Sequence, residues 1–132
     1  MKKIAIVILT FSLFYAPGVF AQEPAPRVRI ETMFKSFKPG EVERAIDAFA
    51  KNSLIRPELV DQWKSQTKTV LTLNPEKAIL GFEFIQEQNV GESVKRLSYV
   101  LKLADRPLYW NFTFYKPAGS WVPLRMAFTE EP

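Results

Sequence analysis

The chain has neither cysteine nor histidine among its 132 residues. Without cysteine there is no disulfide, no thiolate nucleophile and no lipid-modified N-terminal cysteine, so a folded domain must rest on its apolar core alone. Without histidine the commonest general base and a principal transition-metal ligand are missing. That removes Ser-His and Cys-His pairs and most metal sites. A glycine-rich phosphate loop and a dinucleotide fingerprint are absent too, so neither a metal nor a cofactor is expected. Carboxylate, tyrosine, lysine and serine chemistry remain.

Long apolar runs are scarce. The one that stands out, Ile4 to Tyr15, follows Lys2 and Lys3, breaks at Pro17-Gly18 and leads to Val19-Phe20-Ala21, with small or apolar residues at the offsets of a cleavage site. Residues 1–21 are therefore expected to be a signal peptide. The run is short for a hydrocarbon layer of about 30 Å, so no stable membrane anchor is expected after cleavage. The mature chain is expected to start near Gln22 and to be exported, periplasmic in a Gram-negative host and secreted otherwise. Losing Lys2 and Lys3 lowers the formal charge from +4 to +2. The remaining cations are scattered along the chain, so nucleic acid is not an expected partner.

Alternation is abundant between Ile79 and Phe128. Leu80, Phe82 and Phe84 alternate with Gly81, Glu83 and Ile85, and Leu97, Tyr99, Leu101 and Leu103 alternate with more polar neighbours. A third segment sets Leu108, Trp110, Phe112 and Phe114 against Tyr109, Asn111, Thr113 and Tyr115. A fourth sets Val122, Leu124, Met126 and Phe128 against Trp121, Pro123, Arg125 and Ala127. Period two predicts strands, each with one apolar face. With Asp105-Arg106 as a two-residue connection, Leu103 lies opposite Leu108, Leu101 opposite Trp110, Tyr99 opposite Phe112 and Leu97 opposite Phe114. With Lys116 to Ser120 as the last turn, Phe114 meets Val122 and Phe112 meets Leu124. A tight turn at Val90-Gly91 sets Phe84 opposite Leu97. All three turns keep apolar facing apolar, which predicts a meander. Pro123 suits the last strand at a sheet edge, where a missing N–H costs little.

Upstream, Gln22 to Arg29 holds Pro24 and Pro26 without apolar period, and residues 22–32 are expected to be a flexible leader before one domain over 33–132. Ile30, Met33, Phe34 and Phe37 recur at helical spacing up to Pro39-Gly40. Val42, Ala45, Ile46, Phe49 and Ala50 form one stripe, predicting a helix over 41–55. Pro57 suits a first helical position and Asn74-Pro75 a stop, predicting a helix from Pro57 to about Leu73. The expected fold class is α+β, with N-terminal helices packed on one face of a curved four-stranded antiparallel meander.

This order of elements, over roughly residues 41–129, resembles the cystatin-like and NTF2-like folds, in which a curved sheet wraps a helix. The chain also looks like small exported bacterial proteins of unknown function that carry an aromatic strand, a Lys-Pro-x-Gly-type turn and a tryptophan, here Phe112 to Trp121. The first resemblance implies a space between helix and sheet, and Trp63, Tyr99 and Trp110 are the candidates to line a pocket for a small apolar ligand; plain core packing is the other reading. Some NTF2-like enzymes pair an Asp base with a Tyr donor, which would nominate Tyr99 with Asp47 or Asp61. Cystatin inhibitors use a Gln-x-Val-x-Gly loop and a Pro-Trp loop. Here Gln88-Asn89-Val90-Gly91 lacks one residue of the first, and Pro117 is separated from Trp121.

The outward parity of the sheet supplies a second candidate site. Tyr109, Tyr115 and Trp121 are expected there with Arg96 and Arg125, and protein interfaces are enriched in Tyr, Trp and Arg. A solvated face with ordinary cross-strand pairs is the alternative. The expectation is a non-enzymatic exported binding protein, for a partner protein, a second copy or a small apolar ligand. A Tyr/Asp enzyme stands second and a protease inhibitor third.

Overall fold

A computed structural model describes residues 23–72 and 79–132. The expected signal peptide, residues 1–21, and the Asn74-Pro75 stop lie outside the described residues. Three helices, α1 (Pro26–Lys35), α2 (Val42–Ala50) and α3 (Pro57–Thr72), precede four strands, β1 (Ile79–Val90), β2 (Val94–Leu103), β3 (Pro107–Tyr115) and β4 (Val122–Thr129). The strands form one antiparallel sheet in the order β1-β2-β3-β4. The fold class is α+β.

Residues 26–32 correct the flexible leader, because they are helical. Pro26 opens α1, where its missing N–H is no loss. Arg29 then fastens the helix. Its guanidinium is buried, donates from Nε to the Phe49 carbonyl at 2.8 Å, and also donates to the Lys51 carbonyl and, at 2.9 Å, to Glu23. Those two carbonyls belong to the end of α2, whose last C=O groups have no partner within the helix. Arg29 satisfies them and sets a cation at the negative end of the helix dipole. This also explains why α2 stops at Ala50 instead of running to Ile55. Lys51 is extended and Asn52 takes a positive φ of 56°. Burial pulls the Arg29 pKa down, and Glu23 opposes that shift.

One face of the sheet carries the core. Leu97, Tyr99, Leu101 and Leu103 of β2 and Leu108, Trp110, Phe112 and Phe114 of β3 are all buried, while their alternate neighbours are not. Phe34 of α1 meets Phe82, Tyr99, Trp110 and Phe112 at ring-centre distances of 5.4–5.9 Å. Phe49 of α2 meets Phe112 and Phe114. Helix α3 turns Trp63, Thr67 and Leu71 inward and is joined to α2 by Lys64–Asp47 and Lys68–Glu43 ion pairs. The free edge of β4 is closed at one point, where the Leu54 N–H donates to the Pro123 carbonyl at 2.9 Å. Pro123 lies on an edge strand, the position that tolerates its missing donor.

The register departs from the expected pairing in three ways. Between β2 and β3, Leu101 faces Leu108, Tyr99 faces Trp110 and Leu97 faces Phe112, two residues away from the expected pairs. The turn sits one residue earlier than expected, over Ala104-Asp105, since the Leu103 N–H donates to the Arg106 carbonyl at 3.0 Å. A shift of two keeps every side chain on its face. In β4 the extra residue Leu124 forms a bulge between the Phe114–Pro123 and Thr113–Arg125 pairs. Pro123, Met126 and Phe128 therefore turn toward the core, and Leu124, expected inward, is 42% exposed. In β1 the extra residues are Leu80 and Ile85. Gly81, at φ 148°, allows the first bulge; it turns Ile79 inward and leaves Leu80 67% exposed, against the expected parity.

The bulge separates two leucines that alternation alone treats alike. Leu101→Ala should cost about 2–5 kcal/mol by leaving a core cavity. Leu124→Thr should change stability by less than about 0.5 kcal/mol, as a surface substitution does. Urea unfolding of the two variants measures the difference.

Candidate functional site

The outward face of the sheet is built row by row across the strands. One row is Val90, Val94, Tyr115 and Val122, apolar on every strand. The next is Gln88, Arg96, Thr113 and Arg125, and the third is Gln86, Ser98, Asn111 and Ala127. In the third row the Ser98 hydroxyl donates to Asn111 Oδ1 at 2.8 Å. Glu83, Val100, Tyr109 and Thr129 form a fourth. Arg96 and Arg125 are exposed, flank Thr113 from neighbouring strands, and have no carboxylate within 4.0 Å among the described residues. Glu83 on the same face is already engaged by Lys102 at 3.2 Å. The face therefore presents two uncompensated guanidinium groups beside an apolar row.

Of the five residues expected to share this face, the structure brings together Tyr109, Tyr115, Arg96 and Arg125. Trp121 is the exception. It has the parity of buried Pro123, packs against the core cluster, and lies under the ammonium groups of Lys95 (4.9 Å) and Lys116 (5.3 Å). The bulge at Leu124 reverses the parity of the start of β4, and alternation cannot show that.

Trp63, Tyr99 and Trp110 all belong to the helix-covered side. Tyr99 and Trp110 are fully buried, and Trp110 stacks on Phe112 at 5.9 Å and meets Phe128 at 4.7 Å. Two polar atoms of this layer, Trp110 Nε1 and Thr67 Oγ1, are buried without a hydrogen-bond partner among the described residues. The described clefts lie elsewhere. One of about 530 Å³ opens between α2 and α3 beside Asp47, Ile55 and Asp61, and one of about 380 Å³ lies between α1 and α2.

The Tyr99 ring runs to the rim of the sheet, where its hydroxyl donates to Glu31 Oε2 at 3.0 Å. Arg27 Nε lies 3.4 Å from the same oxygen, and its guanidinium covers the Phe84 ring at 3.9 Å. Burial first and the Glu31 carboxylate second push the Tyr99 pKa from near 10 up to about 12, with Arg27 opposing. Asp47 and Asp61, the expected acidic companions of Tyr99, instead share Lys64 at 3.1 and 3.4 Å and are exposed. The ion pair with Asp47 raises the Lys64 pKa. Glu31 escaped sequence reasoning because it fell within the supposed leader; its spacing of four from Arg27 was the available signal.

The two hairpin tips lie side by side, since the Lys116 N–H donates to the Ser93 carbonyl at 2.9 Å. Gln88-Asn89-Val90 is the last part of β1, and Gly91, at φ 71°, opens the turn. Among the described residues, no three acidic side chains gather closely enough to hold a metal ion, and no helix is long and apolar enough to cross a membrane. The sequence matches no protein-family model, and a search of curated proteins finds no match to it.

The Tyr99 corner has a pH signature. A phenol whose folded pKa is raised gives stability that is complete below about 10 and is lost as pH rises toward about 12. Alkaline denaturation of Tyr99→Phe should therefore be less steep over that window than that of the unaltered protein. At neutral pH the same variant should lose about 1 kcal/mol, the net worth of one hydrogen bond. Thermal and urea unfolding read both effects.

Proposed function

We propose that this is an exported binding protein that recognises an acidic partner protein with the uncovered face of its sheet. One observation carries the reading: Arg96 and Arg125 stand two strands apart on an exposed surface with no carboxylate among the described residues to neutralise them, next to the apolar row of Val94, Tyr115 and Val122. Arginines beside tyrosine and aliphatic side chains make up the kind of patch that dominates binding energy at interfaces. Carboxylates from a partner would give paired, directional contacts to the guanidinium groups. A second copy is disfavoured as the occupant, because stacking two such faces brings like charges together. The order of elements is what makes the chain resemble the cystatin-like and NTF2-like folds, and this reading gives the partner the sheet face that the helices leave uncovered. The enzyme alternative draws less support, since Asp47 and Asp61 pair with Lys64 and not with Tyr99.

A photo-crosslinking residue placed at Thr113, between the two arginines, tests this in cells that export the protein. The expected product is an adduct with one acidic protein, lost when Arg96→Glu and Arg125→Glu are combined and kept when Lys68→Glu changes the helical side. A homodimeric adduct, or an unchanged adduct after charge reversal, overturns the proposal.

A further inference from the structure

The cleft between α1 and α2 holds an arrangement that neither the partner-binding face nor the Tyr99 corner uses. At its head, one carboxylate is gripped at both oxygens. Arg29 Nη1 donates to Glu23 Oε2 at 2.9 Å, and Asn52 Nδ2 donates to Glu23 Oε1 at 3.2 Å. The Arg29 side chain is only 5% exposed and is held in place from behind by the Phe49 and Lys51 carbonyls. Asn52 is oriented by the left-handed turn that ends α2. A fixed, desolvated guanidinium with a second donor is a two-point receptor for a planar carboxylate. Its occupant, Glu23, comes from the non-helical residues ahead of α1.

Below this head the cleft has a volume of about 380 Å³ and an apolar floor of Met33, Ala45 and Phe49. Lys51 stands at its edge and makes no ion pair among the described residues. That volume is in the range of small-ligand sites. The charges also fit: with Glu23 in place the cleft carries one uncompensated cation, and with Glu23 withdrawn it carries two. We propose that this cleft binds small organic carboxylates with an apolar body, and that Glu23 is a built-in competitor that occupies the carboxylate head until a ligand displaces it. An internal occupant lowers apparent affinity by the fraction of molecules in which it is bound. The segment ahead of α1 is therefore coupled to ligand binding.

The test titrates the protein with benzoate and butyrate, with benzamide and butyramide as uncharged controls, following amide chemical shifts. Glu23→Gln should bind the carboxylates saturably and at least tenfold more tightly than the unaltered protein, and should ignore the amides. Adding Asn52→Gly, which keeps the left-handed backbone and removes the second donor, should undo most of that gain. A folded Glu23→Gln that shows no saturable binding, or that takes benzamide as well as benzoate, overturns the proposal. Should Glu23→Gln prove too unstable to titrate, melting decides. Benzoate must then raise its Tm more than that of the unaltered protein, and an equal or absent shift overturns the proposal. The outcome is independent of the arginine face, which lies on the other side of the sheet.

Discussion

The structure depends on a single aromatic contact surface: the Phe34 ring set against rings from β1, β2 and β3 at once. A chain without cysteine has no covalent staple, so the helices must be held to the sheet by buried apolar area and by edge-to-face aromatic pairs, each of about 0.5–1.5 kcal/mol beyond simple burial. Phe34 sits where these pairs converge. Arg29, five residues earlier, gives that contact its direction by joining α1 to the carboxyl end of α2. A buried guanidinium contributes little net stability when paired, but it allows very few alternative positions. The aromatic cluster supplies the adhesion and the arginine supplies the geometry.

The three bulged residues act on the two edges of the sheet. Leu80 and Ile85 lie on β1 and Leu124 on β4, the outer strands, while β2 and β3 pair without interruption. Bulges at edges twist a strand and disturb its free row of donors and acceptors, which discourages edge-to-edge pairing of sheets. Each one also moves an apolar side chain outward. Two consequences follow: Trp121 turns to the helical side under two lysines, and Leu80, Ile85 and Leu124 stay exposed.

The division of the sheet into a filled face and an open one places the candidate chemistry. Tyr99 and Trp110 spend their surface on phenylalanines in the core layer, with only the Tyr99 hydroxyl reaching a rim where Glu31 and Arg27 meet it. The open face keeps its arginines apart from acids because Glu83 is taken by Lys102. On the helical side, acids and lysines neutralise one another between α2 and α3.

The inward sets of β2 and β3, the stripe of α2 and the start of α3 at Pro57 were all legible in the residue pattern, because alternation and helical spacing are local and the hydrophobic effect sorts side chains by them. The α+β class follows from their order. The start of α1 at Pro26 was not legible, since its anchor is a hydrogen bond from Arg29 to carbonyls about twenty residues away. Nor was the face of Trp121, because a bulge inserts one residue and inverts the parity of what precedes it without leaving any mark in composition. Of the site residues, Arg96 and Arg125 could be assigned to one face by parity, but Glu31 beside Tyr99, and Glu23 between Arg29 and Asn52, could not. The sequence by itself determined which side chains seek the interior. Tertiary packing alone decided which distant charges meet, because that depends on how α1 lies against α2 and on where each edge strand takes up its extra residue.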